Sequence, residues 1–99
     1  MEFLVQIEIT GSIGSDEASE RLLREQESTR AAELARAGIL LRLWRVPGQR
    51  ANWGIWNAKG ASELNEALAS LPLFPYMKIT VHPLAVHPND PGPPVNHCP

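Results

Sequence analysis

Residues 39–57 run Ile39-Leu40-Leu41-Arg42-Leu43-Trp44-Arg45-Val46-Pro47-Gly48-Gln49-Arg50-Ala51-Asn52-Trp53-Gly54-Ile55-Trp56-Asn57. Pro47-Gly48 presets a tight turn, because proline fixes φ near −65° and glycine accepts positive φ. On either side lie apolar, aromatic and β-branched residues without a helical period, so Ile39–Val46 and Arg50–Asn57 are expected to pair as a hairpin. Alternation along the first strand puts Arg42 with Leu40 and Trp44 on one face. It puts Arg45 with Ile39, Leu41 and Leu43 on the other.

Working outward, residues 2–10 place Phe3, Val5, Ile7 and Ile9 on one side and Glu2, Leu4, Gln6, Glu8 and Thr10 on the other, the period of a half-buried strand. Gly11-Ser12-Ile13-Gly14-Ser15 breaks it, and Ser15 is expected to cap a helix over 16–37. That segment holds six acids and four arginines, half of the chain's charges, with Glu17/Arg21 and Glu20/Arg24 at helical spacing on an outer face. Its inner stripe is Leu23, Glu27, Arg30/Ala31 and Leu34, and Gly38 stops it. After the hairpin, Gly60–Ser70 reads as a short helix burying Leu64, Ala67, Leu68 and Leu71. Leu71-Pro72-Leu73-Phe74-Pro75-Tyr76 is a stiff apolar connection, and Met77–His82 alternates as a last strand.

The order is βαββαβ, an α+β ferredoxin-like arrangement with helices on one face of the sheet. Six of the nine prolines fall in residues 83–99. We therefore divide the chain into a domain over 1–83 and an extended C-terminal arm over 84–99 that can lie on a neighbouring subunit. A chain of 99 residues has a thin core. A second subunit is the simplest cover for the helix-free face, and a pocket is expected where subunits meet.

Composition narrows the partners. With 9 Lys+Arg against 11 Asp+Glu the net charge is −2, which lacks the basic footprint nucleic acid demands. No apolar stretch reaches the roughly 20 residues of a membrane span, and the acidic start is unlike a secretory signal. Cys98 is the lone cysteine. A cytoplasmic protein that binds neither nucleic acid nor membrane is expected.

There is no phosphate loop and no cysteine pair for zinc, and His82, His87 and His97 lie in or beside the arm. No metal or cofactor is expected. Glu27 stands out, flanked by Leu23, Ala31 and Leu34 on the face that meets the sheet. A carboxylate there either pairs with an arginine, Arg30 being nearest in sequence, or sits in a cavity with a raised pKa suited to proton transfer. Arg42 and Arg45 are candidates for holding a carboxylate substrate, or for an internal ion pair with Glu27 or Glu8. Asn52, of low β propensity in mid-strand, invites a side-chain role. Trp53 and Trp56 read as core or interface.

At this point a family comes into view. Leu43-Trp44-Arg45-x-x-Gly48-x-x-Ala51-Asn52, then Leu71-Pro72-Leu73-Phe74-Pro75-Tyr76-Met77-x-Ile79, then Pro83-Leu84-x-x-His87-Pro88, resembles the muconolactone isomerase family over nearly the whole chain. The pattern departs at Gln6, Arg42, Gln49-Arg50 and Gly54, where the family tends to carry lysine, histidine, His-Tyr and a small polar residue. The resemblance implies a dimeric α+β barrel, assembled into decamers in the best-known members, with active sites at subunit contacts. It also implies a cofactor-free proton shift converting muconolactone to 3-oxoadipate enol-lactone after catechol ring cleavage, and aligns the family's helical glutamate with Glu27. For that chemistry the residues themselves offer Glu27 as the expected proton shuttle and Asn52 as the polarising donor. Arg42 or Arg45 would anchor the carboxylate, and Trp44, Trp53, Phe74 and Tyr76 would form the apolar wall. A lactone dehalogenase, an isomerase or cyclase on another small unsaturated carbonyl compound, and a non-catalytic small-acid-binding protein are the alternatives.

Overall fold

The computed structural model describes residues 1–92. Its elements are β1 (Glu2–Ile9), α1 (Glu17–Arg36), β2 (Leu40–Arg45), β3 (Ala51–Asn57), α2 (Ala61–Ala69), a 3₁₀ turn (Phe74–Tyr76) and β4 (Met77–Leu84). The strands form one sheet in the order β2-β3-β1-β4, and every neighbouring pair is antiparallel. The βαββαβ ferredoxin-like order expected from the sequence is therefore present.

The expected barrel is not. The sheet is open, with β2 and β4 as its two edges and no ladder between them. Four strands, each turned by roughly 20–25° from the last, do not wrap far enough to meet; small closed barrels use about eight.

Two local corrections follow from side-chain chemistry. Asp16, not Ser15, caps α1: its carboxylate accepts from the Ser19 N–H at 2.7 Å, and this first-turn bond holds the Asp16 pKa below its ordinary value. The other correction is a register shift in β2 between Leu40 and Arg42. Leu40 lies opposite Trp56 whereas Arg42 lies opposite Ile55, so these two residues point to opposite faces, not to one as simple alternation predicts.

Because directly opposed residues share a face, the ladders sort the sheet. Toward the helices point Phe3, Val5 and Ile7 of β1, Asn52, Gly54 and Trp56 of β3, Leu43 and Arg45 of β2, and Ile79 and Val81 of β4. Phe3, Val5, Ile7 and Trp56 close a buried cluster with Leu34 of α1, Leu64, Ala67 and Leu68 of α2, and Leu71. Away from the helices point Leu4, Gln6, Trp53, Ile55, Arg42, Trp44, Thr80 and His82.

Pro83 sits within β4, where an edge strand tolerates a missing N–H. Residues 81–92 are exposed along their whole length. His97 and Cys98, with the rest of the arm beyond residue 92, lie outside the described residues. No helix among the described residues is long and apolar enough to cross a membrane.

Candidate active site

Helix α1 buries only Leu34 fully, near its C-terminal end. Leu34 is tied to the adjacent strands through Ile39, whose N–H donates to the Leu34 carbonyl at 2.9 Å and whose carbonyl accepts from Asn57 at 2.7 Å. Leu34 and Trp56 thus lie at one end of the two layers. Glu27 lies seven residues earlier on the same helical stripe, roughly 10 Å down the axis. Asn52 lies four residues before Trp56, roughly 13 Å down the strand. Glu27 and Asn52 therefore stand at similar depth on facing layers, with Arg45 directly opposite Asn52 on β2.

The Glu27 carboxylate is half-buried, and its Oε1 accepts from the backbone N–H of Leu73 at 2.9 Å. Burial raises its pKa above the ordinary value; the Leu73 bond pulls the other way and is the smaller effect. No arginine neutralises it. Among the described residues the ion pairs join Arg24 to Glu20 and Arg30 to Glu33. Arg30, expected nearby as a partner, turns its Nε to Ser70 Oγ at 2.9 Å. A carboxylate held by one backbone N–H, with its pKa raised, is placed to take up and release a proton.

The Leu71–Tyr76 connection supplies that N–H. Successive tight turns donate Phe74 N–H to the Leu71 carbonyl and Tyr76 N–H to the Leu73 carbonyl, which leaves Leu73's own N–H free for Glu27. Phe74 packs against the buried cluster. The Tyr76 hydroxyl accepts from Gly14 N–H at 3.3 Å, pinning the β1–α1 loop.

The residues singled out in the sequence fall into two groups. Glu27, Asn52, Arg45, Phe74 and Tyr76 belong to the helix side. Arg42, Trp44 and Trp53 lie on the other face of the sheet, where the Arg42 guanidinium sits 4.7 Å from the centroid of the Trp44 ring and Trp53 stacks on His82 at 6.2 Å. Within one chain the two groups do not meet. Two surface clefts, one between Met1, Glu2 and the segment from Leu84 to His87, the other around Gly38, Ile39 and Asn57, do not include Glu27.

Two features were not singled out from the sequence. One is the Leu73 N–H, which no sequence signal marks, since every residue but proline carries the same donor. The other is Trp56, read only as core or interface. Its indole N–H is buried without an acceptor, and the Asn52 Oδ1 is buried without a donor. The signal available was the period of two that puts residues 52, 54 and 56 on one face.

Comparison with known proteins gives one answer from three directions. Residues 1–90 match the family described as muconolactone delta-isomerase. The Muconolactone Delta-isomerase of Rhodococcus opacus is 43% identical over 65 residues, covering 66% of this chain and 70% of that protein. The Pseudomonas putida Muconolactone Delta-isomerase is 34% identical over 95 residues, covering 91% and 99%. A crystal structure of muconolactone isomerase superposes with a TM-score of 0.85 at 32% identity, covering 97% of this chain and all of that one. The chain belongs to the muconolactone delta-isomerase family.

Proposed function

We propose that this protein isomerises muconolactone to 3-oxoadipate enol-lactone, in the branch of aromatic breakdown that follows catechol ring cleavage. The observation that carries the reading is Glu27: a half-buried carboxylate without an ionic partner, oriented by the Leu73 N–H, in a chain of this family. The reaction moves one proton. It leaves the ring carbon bearing the acetate arm, the electron pair delocalises onto the lactone carbonyl oxygen, and a proton is delivered to the carbon next to that carbonyl. Atoms and charge balance with one base that becomes the acid, so the chemistry requires no redox partner.

In this reading Glu27 is the shuttle. Arg45, on the same side of the sheet, holds the substrate's acetate through a charge-assisted pair. Asn52 polarises the lactone, and Phe74 and Tyr76 form the apolar wall. Arg42, Trp44 and Trp53 act in the assembled protein, where a second copy of the chain covers the helix-free face. Exposed Trp44 on that face, and exposed Leu84 and Val86 at the start of the arm, fit such coverage. The protein works in the cytoplasm as a homo-oligomer.

The test is direct. Purified protein is incubated with muconolactone and enol-lactone formation is followed by absorbance, with the oligomeric state read by size exclusion. Turnover by an assembled protein is expected; an assembled protein that leaves the lactone unchanged overturns the reading.

A further inference from the structure

Strand β3 presents residues 52, 54 and 56 to the helix side, and two of the three carry a buried polar atom without a partner. Trp56 is 2% exposed, yet its indole N–H has no acceptor. Buried N–H groups are nearly always bonded, and a phenylalanine would fill most of this space without the unmet donor. Gly54 shows where the donor points. A Cβ on Gly54 would stand 2.9 Å from Trp56 Nε1 and 3.1 Å from the Arg42 carbonyl oxygen. The N–H edge of the indole therefore lies over Gly54, turned along the strand toward Asn52 and so toward the depth at which Glu27 sits.

That place has a movable cover. Leu43 Cδ1 would lie 3.1 Å from the same Cβ, and Leu43 is 49% exposed, so the side chain over Gly54 has solvent on its other side. Rotation of one half-exposed leucine is a picosecond-to-nanosecond motion and opens the space over Gly54, beside the indole Nε1, without moving the backbone. Counting from the Leu34–Trp56 end, Gly54 lies roughly 7 Å down its strand and Glu27 roughly 10 Å down its helix. Measured along their own elements, donor and base thus lie at neighbouring levels of the helix and strand layers.

We propose that the Trp56 indole N–H is a substrate-binding donor that takes the lactone carbonyl oxygen as negative charge develops there, with Gly54 giving the indole edge room and Leu43 closing the place in the free protein. The assignment rests on the isomerase reading and adds to it a donor on the helix side of the sheet. Such a donor acts mainly on the transition state, because its acceptor gains charge only as Glu27 removes the proton.

The experiment observes the indole itself. The Glu27→Gln protein, which holds the lactone without turning it over, is labelled with ¹⁵N at its three tryptophan side chains and titrated with muconolactone. Trp44→Phe and Trp53→Phe identify two of the N–H resonances, so the third is Trp56 even where Trp56→Phe folds poorly. A downfield shift of the Trp56 resonance on saturation is expected. In Trp56→Phe, kcat/KM falls about 10- to 100-fold through kcat. A Trp56 resonance that stays put, or a folded Trp56→Phe protein with unchanged kcat and KM, overturns the donor assignment while leaving the isomerase reading intact. A shift without any turnover by the unsubstituted protein upholds the donor and overturns the isomerase reading. Neither shift nor turnover overturns both.

Discussion

Replacing Glu27 by glutamine separates proton transfer from structure, because glutamine keeps the shape and the Oε1 acceptor. In the native protein that oxygen accepts from Leu73 N–H at 2.9 Å, and the amide carbonyl of glutamine can accept the same bond. The bond weakens, since a charge-assisted hydrogen bond contributes about 1.5–3 kcal/mol and a neutral one about 0.5–1.5. Against that loss of about 1 kcal/mol stands relief from burying a carboxylate without a counter-ion, the effect that raises the Glu27 pKa. The two oppose, so stability near neutral pH should change by less than about 1 kcal/mol, or about 4–8 °C in Tm for a chain of this size. Catalysis has no such offset. A positioned general base contributes about 10²–10⁴-fold, and in the proposed reaction Glu27 both removes and returns the proton, so turnover should fall toward the upper end of that range.

The pH dependence sharpens the test. A carboxylate whose folded pKa is raised favours the folded state most when protonated, so its stabilisation is present in acid and is lost as pH rises from the unfolded carboxylate value through the raised one. Stability of the unsubstituted protein relative to Glu27→Gln should therefore decline across that window and then level off. The assays are thermal unfolding from pH 3.5 to 8 and steady-state turnover on muconolactone. A folded Glu27→Gln protein that retains turnover within threefold of the unsubstituted enzyme would refute the assignment of the base.

Other substitutions probe the supports of the site. Glu27→Ala leaves the Leu73 N–H without an acceptor in a partly buried place, and urea titration should show a loss of about 1–3 kcal/mol that glutamine does not cause. Gly54→Ala drives a Cβ against the rigid indole and the Arg42 carbonyl, so a loss of about 1–3 kcal/mol is expected by the same measurement, with a raised KM. Tyr76→Phe removes the hydroxyl that accepts from Gly14 at 3.3 Å, and hydrogen exchange should report faster opening of the β1–α1 loop. Asp16→Ala removes the cap of α1 and should lower Tm at neutral pH. Because the folded Asp16 pKa is depressed, that difference should narrow as pH falls through the carboxylate's titration.

Much of the fold was legible because each element carries its own period. The alternation of Phe3, Val5 and Ile7 survives as the buried face of β1, and the Pro47-Gly48 turn does join β2 to β3. What failed in β2 failed for a physical reason. Leu40 and Leu41 are adjacent apolar residues, so nothing in the pattern marks the bulge, and one extra residue reverses the face of Arg42 relative to Leu40. The open sheet was likewise hidden, since closure depends on strand number and on pairing between the first and last strands in space. For the site, the inward position of Glu27 followed from Leu23, Ala31 and Leu34 on the same stripe. Its partner did not, because the bond comes from a backbone N–H exposed by the turns of residues 71–76. The unmet indole of Trp56 depends on how its ring lies over Gly54, a matter of rotamer that no sequence period encodes.

The central claim is that a Glu27 carboxylate with a raised pKa carries the proton, and one measurement meets it directly. The side-chain carboxyl of Glu27, labelled with ¹³C, is titrated by NMR and its midpoint is set against the acidic limb of the kcat/KM profile for muconolactone. Both are expected to lie together above the ordinary glutamate value, and the limb should disappear in Glu27→Gln. A Glu27 that titrates at the ordinary value, or an acidic limb that persists unchanged in Glu27→Gln, would contradict the claim.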